Sequence, residues 1–106
     1  MPTITRLQVQ KHNKERVNVF LDDEYAFAVT LDIAAQLRRG QVLDAAAVAE
    51  LRDADTLTQA YQRAVRYLGS RPRSQAEIER YLRGKEYGEE VIAATVARLH
   101  GQGYLD

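Results

Sequence analysis

Basic side chains crowd residues 56–85, where the acidic residues are only Glu77 and Glu79. The basic residues of this stretch are Arg63, Arg66, Arg71, Arg73, Arg80, Arg83 and Lys85. Arginine binds carboxylates and phosphates through paired hydrogen bonds, so such a cluster can recognise an anionic partner. Pro72 stands between two of these arginines, restricts the loop and gives their side chains defined directions. We predict that the seven residues form a partner-binding surface.

Two simpler interpretations of these arginines stay open at the level of the sequence. They can form a solvated face with local salt bridges to Glu77 and Glu79. Arg73 in particular can be structural, bonding helix termini beside Ser74. The chain has twelve arginines and three lysines, a bias that a GC-rich genome also produces.

Residues that usually carry out catalysis or bind metals are isolated in this chain. His12 falls in a predicted turn and His100 near a predicted helix end, and neither has a neighbour at ligand or triad spacing. The acidic run Asp22-Asp23-Glu24 lacks the alternating ligands and the glycine of a calcium loop. There is no P-loop, no GxGxxG motif and no cysteine. The sequence therefore predicts a non-catalytic protein with no metal, cofactor or small-molecule substrate.

The six tyrosines invite the idea of stacking against nucleic-acid bases. However, Tyr61 and Tyr81 fall on apolar helical stripes, and Tyr25 alternates with core strand residues. For these three we predict burial in the core. Tyr87 and Tyr104 stand at predicted helix boundaries, where they would close the packed module.

Charge is distributed in blocks of alternating sign, although the net charge is zero. Residues 1–21 and 56–85 are basic, whereas residues 22–55 and 86–106 are acidic, which indicates opposed faces rather than a uniform polyanion binder. No apolar run reaches the roughly 18 residues that a membrane span needs, and the first residues lack a signal-peptide core. With no cysteine either, we predict a cytoplasmic protein without membrane contact.

The first third of the chain has the alternation of β-strands. Three short strands with tight turns are predicted within residues 3–29, with Ile4 on one face and Leu7 and Val9 on the other after a slip. They would form a small antiparallel meander, whose apolar face must be covered because such a sheet is not stable alone. A helix near 31–38 is predicted to begin that cover.

The rest of the chain has helical periodicity and clear boundary signals. Helices are predicted near 45–68, 75–84 and 89–100, the first breaking into a short and a longer helix around 53–56. Ser74 and Glu77 have the spacing of a capping box. The expected core residues are Leu68, Ile78, Leu82, Ile92, Val96 and Leu99. The fold class is thus α+β, with a meander domain over residues 1–53 and a three-helix module over residues 54–106.

One stretch has a specific resemblance to a known family. The order of residues 64–74, AVRYLGSRPRS, then Glu77, Tyr81-Leu82, Val91-Ile92, Leu99 and residues 103–106, GYLD, resembles the first helical repeat of the RecX family. Residues 4–7, 10–11 and 14–22 resemble the β-rich extension that many members carry. The resemblance covers nearly the whole chain.

The RecX resemblance implies a regulator of the RecA recombinase, acting in homologous recombination, DNA repair and the SOS response. Members lie in the groove of RecA filaments on DNA and generally inhibit strand exchange and ATP hydrolysis. The implied partner is the RecA filament, with single-stranded DNA inside it as a second contact. Members usually contain about three tandem three-helix repeats, so this chain is expected to be an N-terminal portion, partly exposed around Leu99, Tyr104 and Leu105.

A direct DNA-binding module is the alternative function, because three helices with a basic loop also resemble a helix-turn-helix. Its recognition helix would be residues 89–100. That helix begins with Glu89 and Glu90 and has only Arg98 as an arginine or lysine, the reverse of what contact with DNA favours.

Overall fold

Residues 1–105 are described by a computed structural model as a three-stranded sheet followed by helices. The elements are β1 (Ile4–Val9), β2 (Arg16–Leu21), β3 (Glu24–Thr30), α1 (Leu31–Ala34), α2 (Ala45–Leu68), α3 (Gln75–Gly84) and α4 (Glu89–Gly101). The strands pair antiparallel in the order β1-β2-β3, so the predicted α+β class and meander are confirmed. Asp106, part of the C-terminal match noted above, lies outside the described residues.

The chain divides into two compact units, which we call the first unit (Met1–Asp55) and the second unit (from Thr56 onwards). Helix α2 belongs to both, since it runs without interruption from Ala45 to Leu68. The predicted break around residues 53–56 is therefore wrong. That stretch contains neither proline nor glycine, so nothing in its backbone chemistry stops a helix. None of the helices within residues 1–105 combines the length and the apolar character needed to cross a membrane.

A bulge in β1 decides which residues of that strand face the core. Ile4 pairs with Leu21 and Arg6 with Phe20, so Thr5 is an extra residue in the ladder. Ile4 is fully buried, and Leu7 packs against the same core. The prediction that Ile4 and Leu7 face opposite sides is wrong, because the extra residue restores them to one face.

A second bulge in β3 has the opposite effect on Tyr25. Val19 pairs with Phe27, but Phe20 pairs with Tyr25, which makes Ala26 the extra residue. Phe27 is 5% exposed, whereas Tyr25 is 57% exposed. The prediction that Tyr25 is buried is therefore wrong, because the bulge turns its side chain away from the core.

The acidic turn between β2 and β3 is docked onto β1. Asp22 and Asp23 both have positive φ angles, 51° and 69°, as the two-residue turn of a tight hairpin requires. The Asp22 carboxylate accepts the Thr3 backbone N–H at 3.1 Å, and the Asp23 backbone N–H donates to the Thr5 hydroxyl at 2.9 Å. These bonds give the turn a structural role.

The core of the first unit lies on the inner face of the sheet. Its buried apolar residues are Ile4, Val19, Phe27, Val29, Ile33, Leu37 and Leu43. Helix α1 ends at Ala34, earlier than the predicted end near residue 38. Leu37 is buried nevertheless, and the first turns of α2 add Val48 and Leu51 to the cover.

An ion pair ties the sheet of the first unit to the part of α2 in that unit. Arg16 Nη1 donates to both carboxylate oxygens of Asp55, at 2.9 and 3.1 Å. Arg16 Nη2 donates to the Ala28 carbonyl at 3.0 Å, and the Thr30 backbone N–H donates to Asp55 at 2.8 Å. The Asp55 side chain is only 8% exposed.

The second unit packs α3 and α4 with the latter part of α2 around an apolar core. Ile78, Leu82, Ile92, Val96 and Leu99 are buried as predicted, and Leu68 packs against them half-buried. Leu105 is buried in the same cluster at 9% exposure, as is Leu99 at 0%. The expected exposure of these two leucines is therefore wrong, because both complete the core; Tyr104 is 48% exposed.

Candidate partner-binding surface

The loop between α2 and α3 begins and ends with specific polar contacts. The Ser70 hydroxyl donates to the Tyr67 carbonyl at 3.1 Å. At the far end, Ser74 accepts the Glu77 backbone N–H and Glu77 accepts the Ser74 backbone N–H, each at 3.1 Å. This is the predicted capping box, and it gives α3 a defined first turn.

Arg71 is exposed but bound to its own loop and helix. Its guanidinium donates to Glu77 at 2.7 Å and to the Pro72 carbonyl at 2.9 Å, while its side chain is 55% exposed. The backbone N–H of Ser74 and then the hydrogen bond from Arg71 lower the pKa of Glu77. The carboxylate of the capping box is therefore held in its charged form by the capped backbone N–H first and by the loop arginine second.

Arg73 lies inward, packed on an aromatic ring. Its guanidinium carbon is 3.9 Å from the centre of the Tyr67 ring, and Nη2 donates to the Ser70 hydroxyl at 2.8 Å. The Arg73 side chain is only 14% exposed. This geometry supports the structural interpretation of Arg73, and its contact with a partner stays a prediction.

Tyr67 is also the first ring of an aromatic pair. The rings of Tyr67 and Tyr81 are stacked, 4.1 Å apart with an angle of 5° between their planes. The Lys85 ammonium is 5.7 Å from the centre of the Tyr81 ring. We call the arrangement of Arg73, Tyr67, Tyr81 and Lys85 the tyrosine stack. It links the end of α2 to α3 by aromatic and cation–π attraction.

Arg83 is engaged in a different pair at the end of α3. It forms a two-pronged contact with Glu89, at 2.9 Å for both hydrogen bonds. This contact raises the pKa of Arg83 and lowers the pKa of Glu89, while both side chains stay more than half exposed. Arg83 thus bridges the end of α3 to the first turn of α4.

Three of the seven predicted residues have neither an ion pair nor a cation–π contact within residues 1–105. Arg66 and Arg80 are exposed, on α2 and α3, and Arg63 is half-buried on α2. The seven residues are thus divided among a loop contact, the tyrosine stack, a surface ion pair and three available cations.

Known proteins support the family suggested by the motif. Residues 2–44 match the model described as the regulatory protein RecX N-terminal domain, and residues 60–99 match the model described as RecX, first three-helix domain. The chain belongs to the RecX family. The match to the N-terminal domain covers the β-meander, and the match to the first three-helix domain covers most of the three-helix part of the chain.

Individual RecX relatives match over the whole chain. It is 39% identical over 108 residues to the regulatory protein RecX of Bacillus licheniformis and 40% identical to that of Bacillus subtilis. These alignments cover 100% of this chain and 41% of each relative, so the chain spans about two fifths of their length. A crystal structure of a regulatory protein RecX superposes with a TM-score of 0.87 at 31% identity, covering 53% of that chain.

A second cation–π contact in the second unit was not predicted from the sequence. The Arg98 guanidinium carbon lies 3.9 Å from the centre of the Tyr61 ring, whose edge meets Tyr104 at 6.4 Å. Tyr61 lies seven residues before Leu68 on the same helix, and this spacing predicted its place on the apolar stripe. The spacing did not predict that Arg98 would lie over its ring. Arg98, the only arginine or lysine of α4, is thus engaged with Tyr61, while the first turn of that helix carries Glu89 and Glu90.

Proposed function

We propose that this chain is a non-catalytic regulatory module that binds the RecA filament on DNA and restrains strand exchange and ATP hydrolysis. The observation that carries the proposal is membership of the RecX family along the whole chain, whose relatives are named regulatory proteins. The absence of a catalytic constellation in the sequence agrees with a role in binding.

The contact surface we propose consists of the cations that the fold leaves available. Arg66 and Arg80 are exposed and Arg63 is half-exposed, and all three can pair with carboxylates of a protein or phosphates of DNA. Arg71 is 55% exposed and can add a contact while it holds Glu77. Several weak contacts with a long filament can together give high affinity, because each contact after the first forms at a high effective concentration.

The test is a titration of RecA ATPase activity on single-stranded DNA with the wild-type chain and with Arg66→Glu/Arg80→Glu. The wild type should lower the rate, and the double variant should need a clearly higher concentration for the same effect. Arg38→Glu/Arg39→Glu reverses the same amount of exposed charge in the first unit and serves as the control. Equal inhibition by the wild type and by the Arg66/Arg80 variant would contradict the proposed contact surface. If the wild type does not change the ATPase rate of RecA at all, the proposed function itself is contradicted.

Arg73 offers a separate prediction about the inner side of the same loop. Arg73→Glu should lower the melting temperature, because it puts a carboxylate over the Tyr67 ring and breaks the bond to Ser70. Filament binding by the folded fraction should be unchanged. Thermal unfolding followed by circular dichroism, together with binding measured well below the transition, checks both. Weaker binding with unchanged stability would instead assign Arg73 to the contact surface.

A further inference from the structure

The side of β1 that faces away from β2 is paired at its start and unpaired further along. At the start, the Gly40 backbone N–H donates to the Ile4 carbonyl at 2.7 Å, and the Ile4 N–H donates to the Gln41 carbonyl at 2.8 Å. The Gln41 N–H donates to the Arg38 carbonyl at 3.1 Å, so this segment forms a turn there instead of continuing along β1. The part of β1 from Leu7 to Val9, which we call the open edge, has β2 as its only neighbouring strand within residues 1–105.

The register of β1 and β2 decides which backbone groups the open edge presents. The Gln10 N–H donates to the Arg16 carbonyl at 2.9 Å, which makes these two residues a hydrogen-bonded pair. Because such pairs alternate along an antiparallel ladder, Leu7 and Val9 turn their N–H and C=O groups away from β2. Within residues 1–105, no hydrogen bond outside the ladder uses these four groups. They form a row of free donors and acceptors.

The apolar face of the sheet continues up to the open edge. In the ladder, Leu7 lies beside Val19 and Val9 lies beside Val17. Val17 and Val19 are buried and Leu7 is half-buried, whereas Val9 is 47% exposed. A further strand would place side chains next to those of Leu7 and Val9, and an apolar residue there would remove Val9 from water. The open edge therefore favours a strand with apolar residues at alternate positions.

Exposed cations lie at both ends of the open edge. They are Lys11, Lys14, Arg38 and Arg39. The two lysines stand in the turn after β1, where Glu15 is the acidic residue. The two arginines directly precede Gly40, which is bonded to Ile4 at the start of the strand. The acidic turn of residues 22–24 connects β2 to β3 and so lies on the other side of β1. The charge at the ends of the open edge is therefore mainly positive and complements acidic residues.

We propose that the open edge binds an extended peptide segment with alternating apolar residues in its middle and acidic residues at its ends. A peptide backbone has N–H and C=O groups at the spacing of those on Leu7 and Val9, so the segment adds to β1 as a fourth strand. A second copy of this chain fits less well, because its own open edge brings the same four cations.

This edge lies in the first unit, apart from the arginines of the second unit, and its binding of a peptide does not depend on RecA. Arg38→Glu/Arg39→Glu should therefore weaken peptide binding by about threefold or more, since two exposed charge pairs become repulsive. The same variant should inhibit RecA like the wild type. The two proposals can thus fail separately.

The experiment is a fluorescence anisotropy titration of the labelled peptide EEVTVTVEE with the full chain at low salt. This peptide reads the same in both directions, so either strand direction can form. Val9→Pro removes one N–H from the open edge and keeps the ladder to β2, so it should weaken binding by about fivefold or more. Val9→Thr keeps that N–H and a similar shape, and as the matched control it should bind nearly as well as the wild type. Both variants should melt close to the wild-type temperature.

Modified peptides give a second measurement that uses the wild-type chain. N-methylation of the three valines removes the N–H groups on one side of the peptide strand, and N-methylation of the two threonines removes those on the other side. One of these peptides should lose binding and the other should keep it, because only one side of an added strand faces β1. Loss with the methylated valines indicates an antiparallel strand, and loss with the methylated threonines indicates a parallel one. The peptide KKVTVTVKK should bind much more weakly than EEVTVTVEE at low salt.

Four results would overturn the proposal. The first is no binding of EEVTVTVEE by the wild type, and the second is equal affinity for KKVTVTVKK. The third is binding of both methylated peptides as tightly as the parent, and the fourth is a folded Val9→Pro variant that binds like Val9→Thr. Amide chemical shifts locate the contact: the peptide should move the signals of Leu7 and Val9, and changes confined to the second unit contradict the site. Self-association through β1 that the peptide does not displace would assign the open edge to a second copy instead.

Discussion

The two units use charge pairs of equal length in different surroundings. Arg16 and Asp55 in the first unit meet at 2.9 Å with side chains 20% and 8% exposed. Arg83 and Glu89 in the second unit meet at the same 2.9 Å, but with side chains 52% and 69% exposed. Burial rather than distance decides what such a pair contributes, because solvent weakens an exposed pair and cannot replace a lost partner in a buried one. The first unit thus adds a buried charge pair to its apolar core, whereas the second unit has its ion pairs at the surface.

The largest expected effect is the loss of the buried acid. Asp55→Ala should cost about 3–5 kcal/mol of unfolding free energy, because it leaves the half-buried Arg16 without its carboxylate and the buried Thr30 N–H without its acceptor. Chemical denaturation measures the loss. Asp53→Ala removes an exposed carboxylate two residues earlier on the same helix and should be close to neutral. Equal costs for the two variants would contradict the role assigned to burial.

The corresponding test of the second unit removes apolar volume. Leu82 is fully buried, so Leu82→Ala should cost roughly 2–5 kcal/mol through lost contacts and the cavity left behind. Leu31→Ala is the matched control, since Leu31 is 45% exposed and loses far less on truncation. Hydrogen exchange should show faster opening in α3 and α4 for Leu82→Ala. A cost below about 0.5 kcal/mol would mean that the second unit does not depend on this core.

The smallest effect concerns the half-buried carboxylate of the capping box. The pKa of Glu77 is lowered in the folded chain from its ordinary 4.5, so its charged form stabilises the fold above that value. The contribution should fade as the pH falls below about 4.5 and disappear below the lowered pKa. Glu77→Gln keeps a capping acceptor and removes the charge. The wild type should be the more stable at neutral pH, with a gap that closes on acidification.

Melting temperatures of the wild type and Glu77→Gln between pH 7 and pH 2 check this. Two curves that stay parallel throughout would show that the charge of Glu77 contributes nothing to stability. A gap that widens in acid would reverse the sign, and would mean that protonated Glu77 is the better cap.

Local chemistry allowed the sequence to predict much of this molecule. Ser74 and Glu77 form their capping box through residues three apart, and the alternation of Val17 and Val19 survives in β2. Tyr25 was missed because a bulge depends on how two strands pair, which no single strand records. The predicted break in α2 is wrong because residues 53–56 contain neither glycine nor proline, and the helix continues through them.

The candidate surface was predictable in composition but not in arrangement. The clustering of basic residues in the sequence identified the seven candidates. Spacing alone could not decide whether Arg73 contacts a partner or has a structural role. Its place over Tyr67 depends on how the loop returns to α2, and the stack with Tyr81 depends on the packing of α3. A pattern of one cation and an aromatic residue six positions apart, flanking a proline loop, is the signal that could have indicated it.

The bonds made by Arg16 and Asp55 have a consequence for how the molecule behaves in a crowded solution. Leu31 donates to Glu15 across the ladder, so residues 28 and 30 turn their backbone groups to the free side of β3. The Ala28 carbonyl and the Thr30 N–H on that side are taken by Arg16 and Asp55. An incoming strand from another molecule finds these two positions closed, which removes a template for sheet extension and aggregation. The same two side chains that tie the sheet to α2 therefore also close this end of the β3 edge.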